Sequence, residues 1–223
     1  MKTIGIIVAM SKELRLILPL LEGHAEETHG KTVFHIGTLG ERRVVAMECG
    51  IGKVNAAMGA TLMIEHFHPE LVINTGVAAG AGEDVAVMDA VVATAVVHHD
   101  FWCIGEEWGH VPGSPRMLPA ITFEGVVEAP NVKRGLIASG ELFISSRQEV
   151  ETIKGRFPGV LAIDMESAAI AQVCALMDVP FFCMRVISDS PWCSHDNSRQ
   201  YEDFWEDAPR QSFSLIKTLL ENL

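Results

Sequence analysis

The sequence is poor in basic residues. Lys and Arg total 17 against 29 Asp and Glu, giving a formal net charge of −12. That balance excludes a nucleic-acid partner, which would need a basic surface, and disfavours an anionic substrate unless it is locally paired. No apolar run approaches the ~20 residues a helix needs to span a bilayer, so no membrane partner is expected. Met1-Lys2-Thr3 leads straight into a short apolar run with no leader-like n- and h-regions. The five cysteines (Cys49, Cys103, Cys174, Cys183, Cys193) are odd in number and lack close ligand spacing, as expected of reduced, mostly buried thiols in a cytoplasmic protein. Repeats, low-complexity tracts and linkers are absent. With 223 residues, 48% of them hydrophobic, the chain is expected to form a single domain over residues 1–223.

Familiar catalytic signatures are missing as well. A Walker A loop ending at Gly52-Lys53 would need glycine at Met47 and a hydroxyl residue at Val54. Gly76-x-x-x-Gly80-x-Gly82 follows an apolar run but is not Gly-x-Gly-x-x-Gly, so these glycines read as tight turns or close approaches to a ligand. Gly-x-Ser-x-Gly does not occur, and nothing couples Ser188 to a histidine. His98-His99-Asp100 would point alternately to opposite faces of a strand, and no second cluster completes a metal site. His66-x-His68 closes a helix and suits its negative end.

What remains is a pattern of short strands and helices. Apolar runs predict strands over Thr3–Val8, Leu71–Asn74, Ala90–Val97, Gly135–Ser139, Val160–Ile163 and Pro180–Ile187, with a hairpin of Lys31–Gly37 and Arg42–Glu48. Helices are expected from Ser11 to about Leu21 and over Lys53–His66, Arg147–Arg156, Ser167–Met177 and Asp203–Leu223. Residues 98–132 read as one long loop, of a length that is usually functional or mobile. The alternation argues α/β: a three-layer α-β-α arrangement around a central mixed, mostly parallel sheet.

Three of these strands are followed by an acid. Glu13 follows the first at a helix start, Glu166 sits between the strand ending at Ile163 and the next helix, and Asp189 follows Ile187-Ser188. Taken alone, each is a helix-start or loop carboxylate. Together they can converge, because ligands in open α/β sheets bind beyond the carboxyl ends of strands.

Six blocks of sequence resemble the bacterial 5'-methylthioadenosine/S-adenosylhomocysteine nucleosidases, in that family's order and over most of the chain. They are Ile4-Gly5-Ile6-Ile7-Val8-Ala9-Met10-Ser11-Lys12-Glu13, Gly50-Ile51-Gly52-Lys53-Val54-Asn55-Ala56-Ala57, Ile73-Asn74-Thr75-Gly76-Val77-Ala78-Ala79-Gly80, Ser139-Gly140-Glu141-Leu142-Phe143-Ile144, Asp164-Met165-Glu166 and Arg185-Val186-Ile187-Ser188-Asp189. The resemblance implies a nucleoside phosphorylase-like fold and hydrolysis of a ribose–adenine bond without metal or organic cofactor. It implies a homodimer acting on a small-molecule nucleoside, in methionine salvage. By resemblance, Glu13 activates water, Asp189 protonates adenine N7, and Glu166 binds the ribose hydroxyls and steadies the developing cation. Met165 packs on the ribose, Phe143 stacks on adenine, the Ile144 backbone bonds the adenine edge, and Ile51 lines the 5' pocket. Asp164 belongs to the same motif, Arg185 helps order the water site, and Ser188 positions Asp189. The chemistry suits three carboxyl groups: a proton for the leaving base, a base for water, and stabilisation of an oxocarbenium-like sugar.

The sequence also departs from that family. Val77 stands where it usually carries a serine near the water, and Tyr201 where it carries a phenylalanine over the site. The loop at Phe101-Trp102-Cys103-Ile104 is shorter, the stretch between Pro115 and Lys133 is too short for a full helix, and Pro191–Arg199 is longer. The acids are intact and the 5' pocket is altered. Two alternatives stay open, a purine nucleoside phosphorylase and a nucleoside-binding protein without activity. Against the first, the loop Ala9–Glu13 offers one lysine beside an acid rather than phosphate-binding arginines.

Overall fold

The computed structural model describes residues 2–123, 131–193, 196–207 and 218. Its strands are β1 (Thr3–Val8), β2 (Glu22–His29), β3 (Thr32–Leu39), β4 (Arg42–Glu48), β5 (Leu71–Gly80), β6 (Ala90–His98), β7 (Leu118–Pro119), β8 (Val132–Ser139), β9 (Val160–Asp164) and β10 (Phe181–Asp189). The helices are α1 (Ser11–Ile17, continued by a 3₁₀ turn over Leu18–Leu20), α2 (Lys53–Phe67), α3 (Arg147–Arg156), α4 (Ser167–Leu176) and α5 (Asn197–Asp207).

The strands form one mixed sheet in the order β10-β6-β8-β9-β5-β1-β4-β3-β2, with β7 against β6. β4, β1, β5 and β10 run parallel, as do β6, β8 and β9. The two groups meet antiparallel, β10 against β6 and β5 against β9. Because β10 also pairs with β5, the strands β10, β6, β8, β9 and β5 close into a ring. From that ring β1, β4, β3 and β2 extend as an open wing.

Period-two alternation sorts side chains to the two faces. On β1, Ile4, Ile6 and Val8 join Leu14 and Ile17 of α1 in one core, while Ile7 joins Ala60, Met63 and Ile64 of α2 in another. On β4, Val44 and Ala46 serve the α1 side and Val45 and Met47 the α2 side. Helices on both faces make the expected three layers. A third core packs Val150 and Ile153 of α3 against Val160 and Ile163 of β9.

Several element bounds differ from the expectation. β2 was not anticipated: Glu22–His29 carries no apolar side chain larger than that of Ala25, and all but its last residue is exposed, as an edge strand can be. β5 continues to Gly80, well past Asn74, because its glycines and alanines pair with β10 and β9 instead of turning. The last described helix starts at Asn197, not Asp203, and Ala208–Leu223 lies outside the described residues except for Thr218. Residues 98–132 are irregular apart from β6's last residue, β7 and β8's first, with 124–130 outside the described residues.

Candidate active site

Ala79 of β5 is the point where the strand ends meet. It pairs with Ile163 of β9 on one side and with Asp189 of β10 on the other. A cavity of about 380 Å³ opens there. It is lined by Glu13, Glu166 and Asp189, and by Ile51, Val77, Phe143, Ile144, Asp164, Met165, Ser188 and Tyr201. Every residue singled out from the sequence therefore reaches this cavity except Arg185, which lies behind its wall, wholly buried.

Each acid is held differently. Glu13, in the first turn of α1, accepts hydrogen bonds at Oε2 from the backbone N–H of Ala9 (2.9 Å) and Met10 (3.0 Å), and at Oε1 from that of Val77 (3.0 Å). Burial pushes its pKa up, while Arg185 and these three backbone donors pull it down. The close approach depends on Gly76, whose φ is 145°. A Cβ there would lie 2.3 Å from Glu13 Oε1 and 2.7 Å from Arg185 Nη1. The valine at position 77 thus leaves Glu13 fully held, because its donor is main chain.

Glu166 is the N-cap of α4 and accepts from the Gly52 N–H at 3.0 Å. Its pKa is pushed up to about 7, chiefly by burial, with Arg185 opposing and the neighbouring Asp164 adding. Arg185 Nη2 lies 2.6 Å from Asp164 Oδ2, donates to Asn74 Oδ1 at 2.8 Å, and reaches Glu166 Oε2 at 3.4 Å. Asp164 in turn accepts from the Ser139 hydroxyl and, at 3.0 Å, from that of Ser167. The arginine was expected to order a water. Its geometry makes it the counter-ion that fixes Asp164 and reaches Glu166.

Asp189 accepts from the Ser188 hydroxyl at Oδ1 (2.7 Å) and from Asn197 Nδ2 at Oδ2 (2.7 Å). The Asn197 amide also donates to the Ile144 carbonyl at 3.0 Å. Burial pushes the Asp189 pKa up, and these two side-chain donors oppose it. The α5 helix reaches this acid's neighbour as well, since Gln200 Oε1 accepts from the Ser190 N–H at 2.9 Å. Tyr201, one residue on, donates its hydroxyl to Met10 Sδ at 3.2 Å and meets Phe143 edge-on, with centroids 6.0 Å apart.

Sequence reasoning missed Asn197, Gln200 and Asn74. The polar run Asp196-Asn197-Ser198 is an ordinary helix-start signal and could have placed α5 correctly. Nothing local in the sequence could have paired Asn197 with Asp189, eight positions earlier in the chain.

A mixed sheet with a partial barrel, flanked by helices and carrying its site at strand ends, defines a class. Residues 3–221 match the family model of the phosphorylase superfamily. Within that class the chain belongs to the 5'-methylthioadenosine/S-adenosylhomocysteine nucleosidase family. It is 38% identical to such a nucleosidase from Exiguobacterium sp. and 36% identical to one from Anoxybacillus flavithermus, in each case over 99% of this chain and 98% of the relative. The fold is similar to that of S-adenosylhomocysteine nucleosidase from Streptococcus pyogenes in complex with 5-methylthiotubericidin, with a TM-score of 0.94 and 33% identity over 100% of this chain and 97% of that one.

Proposed function

We propose that this chain is an N-glycosyl hydrolase that releases adenine from 5'-methylthioadenosine and S-adenosylhomocysteine. The observation that carries the reading is the convergence of Glu13, Glu166 and Asp189 on one cavity, each buried and each with a raised pKa. In this scheme Glu13 accepts a proton from water as the water oxygen bonds the anomeric carbon. Asp189 delivers a proton to N7 as the bond from C1' to N9 breaks, so the base leaves as neutral adenine. Glu166 accepts hydrogen bonds from the ribose hydroxyls and, when ionised, offsets the charge that develops on the sugar. Phe143 stacks on the base, the Ile144 backbone bonds its edge, Met165 packs on the ribose, and Ile51 and Tyr201 flank the 5' end. Arg185, Asp164 and Ser188 position the acids.

Water is favoured over phosphate as the nucleophile because the described residues lining the cavity include no lysine or arginine, and Arg185 is already paired with Asp164. The test is adenine release from several 5'-substituted adenosines with and without phosphate. Equal rates and a free-sugar product support the hydrolase; a phosphate requirement and a sugar 1-phosphate product sink it. We also read the chain as one functional unit and as a homodimer. Trp102, Ile104 and Trp108 leave apolar surface exposed, as interaction sites do, and sedimentation of a fully active monomer would contradict this. A cytoplasmic setting in methionine salvage accords with five free cysteines.

A further inference from the structure

The wing of the sheet holds a second cluster of chemically capable groups, far along the strand order from β10. On β2 and β3, Glu26 stands opposite His35 and Ala25 opposite Ile36. Beyond them the register slips, so that Glu22 pairs with Thr38 and the extra residue falls at Gly23, whose φ is 63°, and His24. Such bulges re-aim side chains. Alternation places His24 and Glu26 on one face of β2, beside His35. Across from the slip stands Gly37, where a Cβ would meet Leu21 Cβ at 2.8 Å and the Glu22 carbonyl at 2.9 Å, so the start of β2 sits tightly over it. The result is a convergent donor set. His24 Nε2 lies 2.9 Å from His35 Nδ1, the Glu26 carboxylate lies 3.5 Å from that same nitrogen, and the three donor atoms fall within 4.8 Å of one another.

We propose that His24, Glu26 and His35 form a binding site for a divalent transition-metal ion of the zinc class. Metal–nitrogen bonds of ~2.0–2.1 Å in a tetrahedron separate neighbouring ligand atoms by about 3.3 Å, and the two closest spacings here bracket that length. Two imidazoles and one carboxylate suit zinc, cobalt, nickel or copper rather than magnesium or calcium. His24 and Glu26 are exposed, which gives an entry path and leaves a fourth position for water. Among the described residues this is the one group of three or more His, Cys, Asp or Glu that meets at such spacing. His29 and His66, stacked at 3.7 Å, form only a pair with Glu27 beside them. A bound ion would clip the exposed edge strand β2 to β3, and it has no part in the hydrolytic site.

The test is a titration of metal-free protein with Co(II), read by its ligand-field absorption, together with Zn(II) thermal shifts. The expected result is saturation at one equivalent, an intense tetrahedral-type band, and a melting temperature that rises with Zn(II), because the site exists only in the folded chain. Removing one ligand should weaken binding by at least the roughly 10–100-fold that loss of a mere supporting contact costs. That loss is expected in His24→Ala and in Glu26→Gln, both at exposed positions where substitution leaves the core intact, whereas His66→Ala should bind like the parent. Equal binding by the parent, His24→Ala and Glu26→Gln, or uptake that never saturates, would overturn the proposal.

Discussion

Asn197→Ala isolates one hydrogen bond on the proposed acid. In the parent, Asn197 Nδ2 donates to Asp189 Oδ2 at 2.7 Å, and Asp189 is only 1% exposed. A hydrogen bond to a charged group is worth about 1.5–3 kcal/mol, and one pKa unit corresponds to about 1.4 kcal/mol. Losing a donor that favours the carboxylate should therefore raise the Asp189 pKa further. A general acid must hold its proton, so activity falls as pH rises through its pKa. The alkaline limb of kcat/KM should accordingly move to higher pH in Asn197→Ala, even though peak turnover drops because the side chain is less well held. The acid limb, assigned to Glu13, should stay in place, since Glu13 has no bond to Asn197. The assay is adenine release followed across pH for parent and variant. An alkaline limb that stays put or moves down would refute the coupling.

Other perturbations follow from the same geometry. Gly76→Ala puts a methyl 2.3 Å from Glu13 Oε1 at a φ of 145°, so activity should fall about 10²-fold or more and stability by about 1–3 kcal/mol, checked by adenine release and thermal melts. Arg185→Met leaves Asp164 without its buried counter-ion and should cost about 3–5 kcal/mol in urea unfolding, partly restored by adding Asp164→Asn. Glu166 has a folded pKa of about 7 against an ordinary 4.5, so its contribution is fully present below pH 4.5 and is lost as pH rises through 7. That contribution is about 3 kcal/mol, and comparing the pH dependence of unfolding in Glu166→Gln and the parent should show it missing from the variant.

The legible parts of the fold were those with a strong apolar period. Ile4–Val8, Ala90–Val97 and Val160–Ile163 are continuous or nearly continuous buried runs, and Arg147–Arg156 coincides with α3. β2 was invisible because an edge strand with exposed side chains needs no apolar alternation. The far half of β5 was read as a tight turn or a close approach to a ligand, because Gly76-Val77-Ala78-Ala79-Gly80 gives little sign that two neighbours pair with it. At the site, the acids were readable from their place after strands. Their supports were not: Ala9, Met10 and Val77 hold Glu13 through main-chain N–H groups, which side-chain identity does not encode. Val77 lacks the hydroxyl a serine would offer near the water site, yet its main-chain N–H still holds Glu13. Asn197, on α5, bonds Asp189 at the end of β10, a pairing that only the fold creates.

The central claim is that Asp189 protonates the leaving adenine while Glu13 deprotonates water. Asp189→Asn keeps the size of the side chain and its contact with Ser188, but cannot transfer a proton. The most direct measurement is single-turnover adenine release by purified, folded Asp189→Asn, with binding of a substrate analogue measured on the same sample. The expected result is a fall in the chemical step of ~10²–10⁴-fold with only modest loss of affinity, and a comparable fall for Glu13→Gln. A folded Asp189→Asn protein that releases adenine at nearly the parental rate would contradict the account.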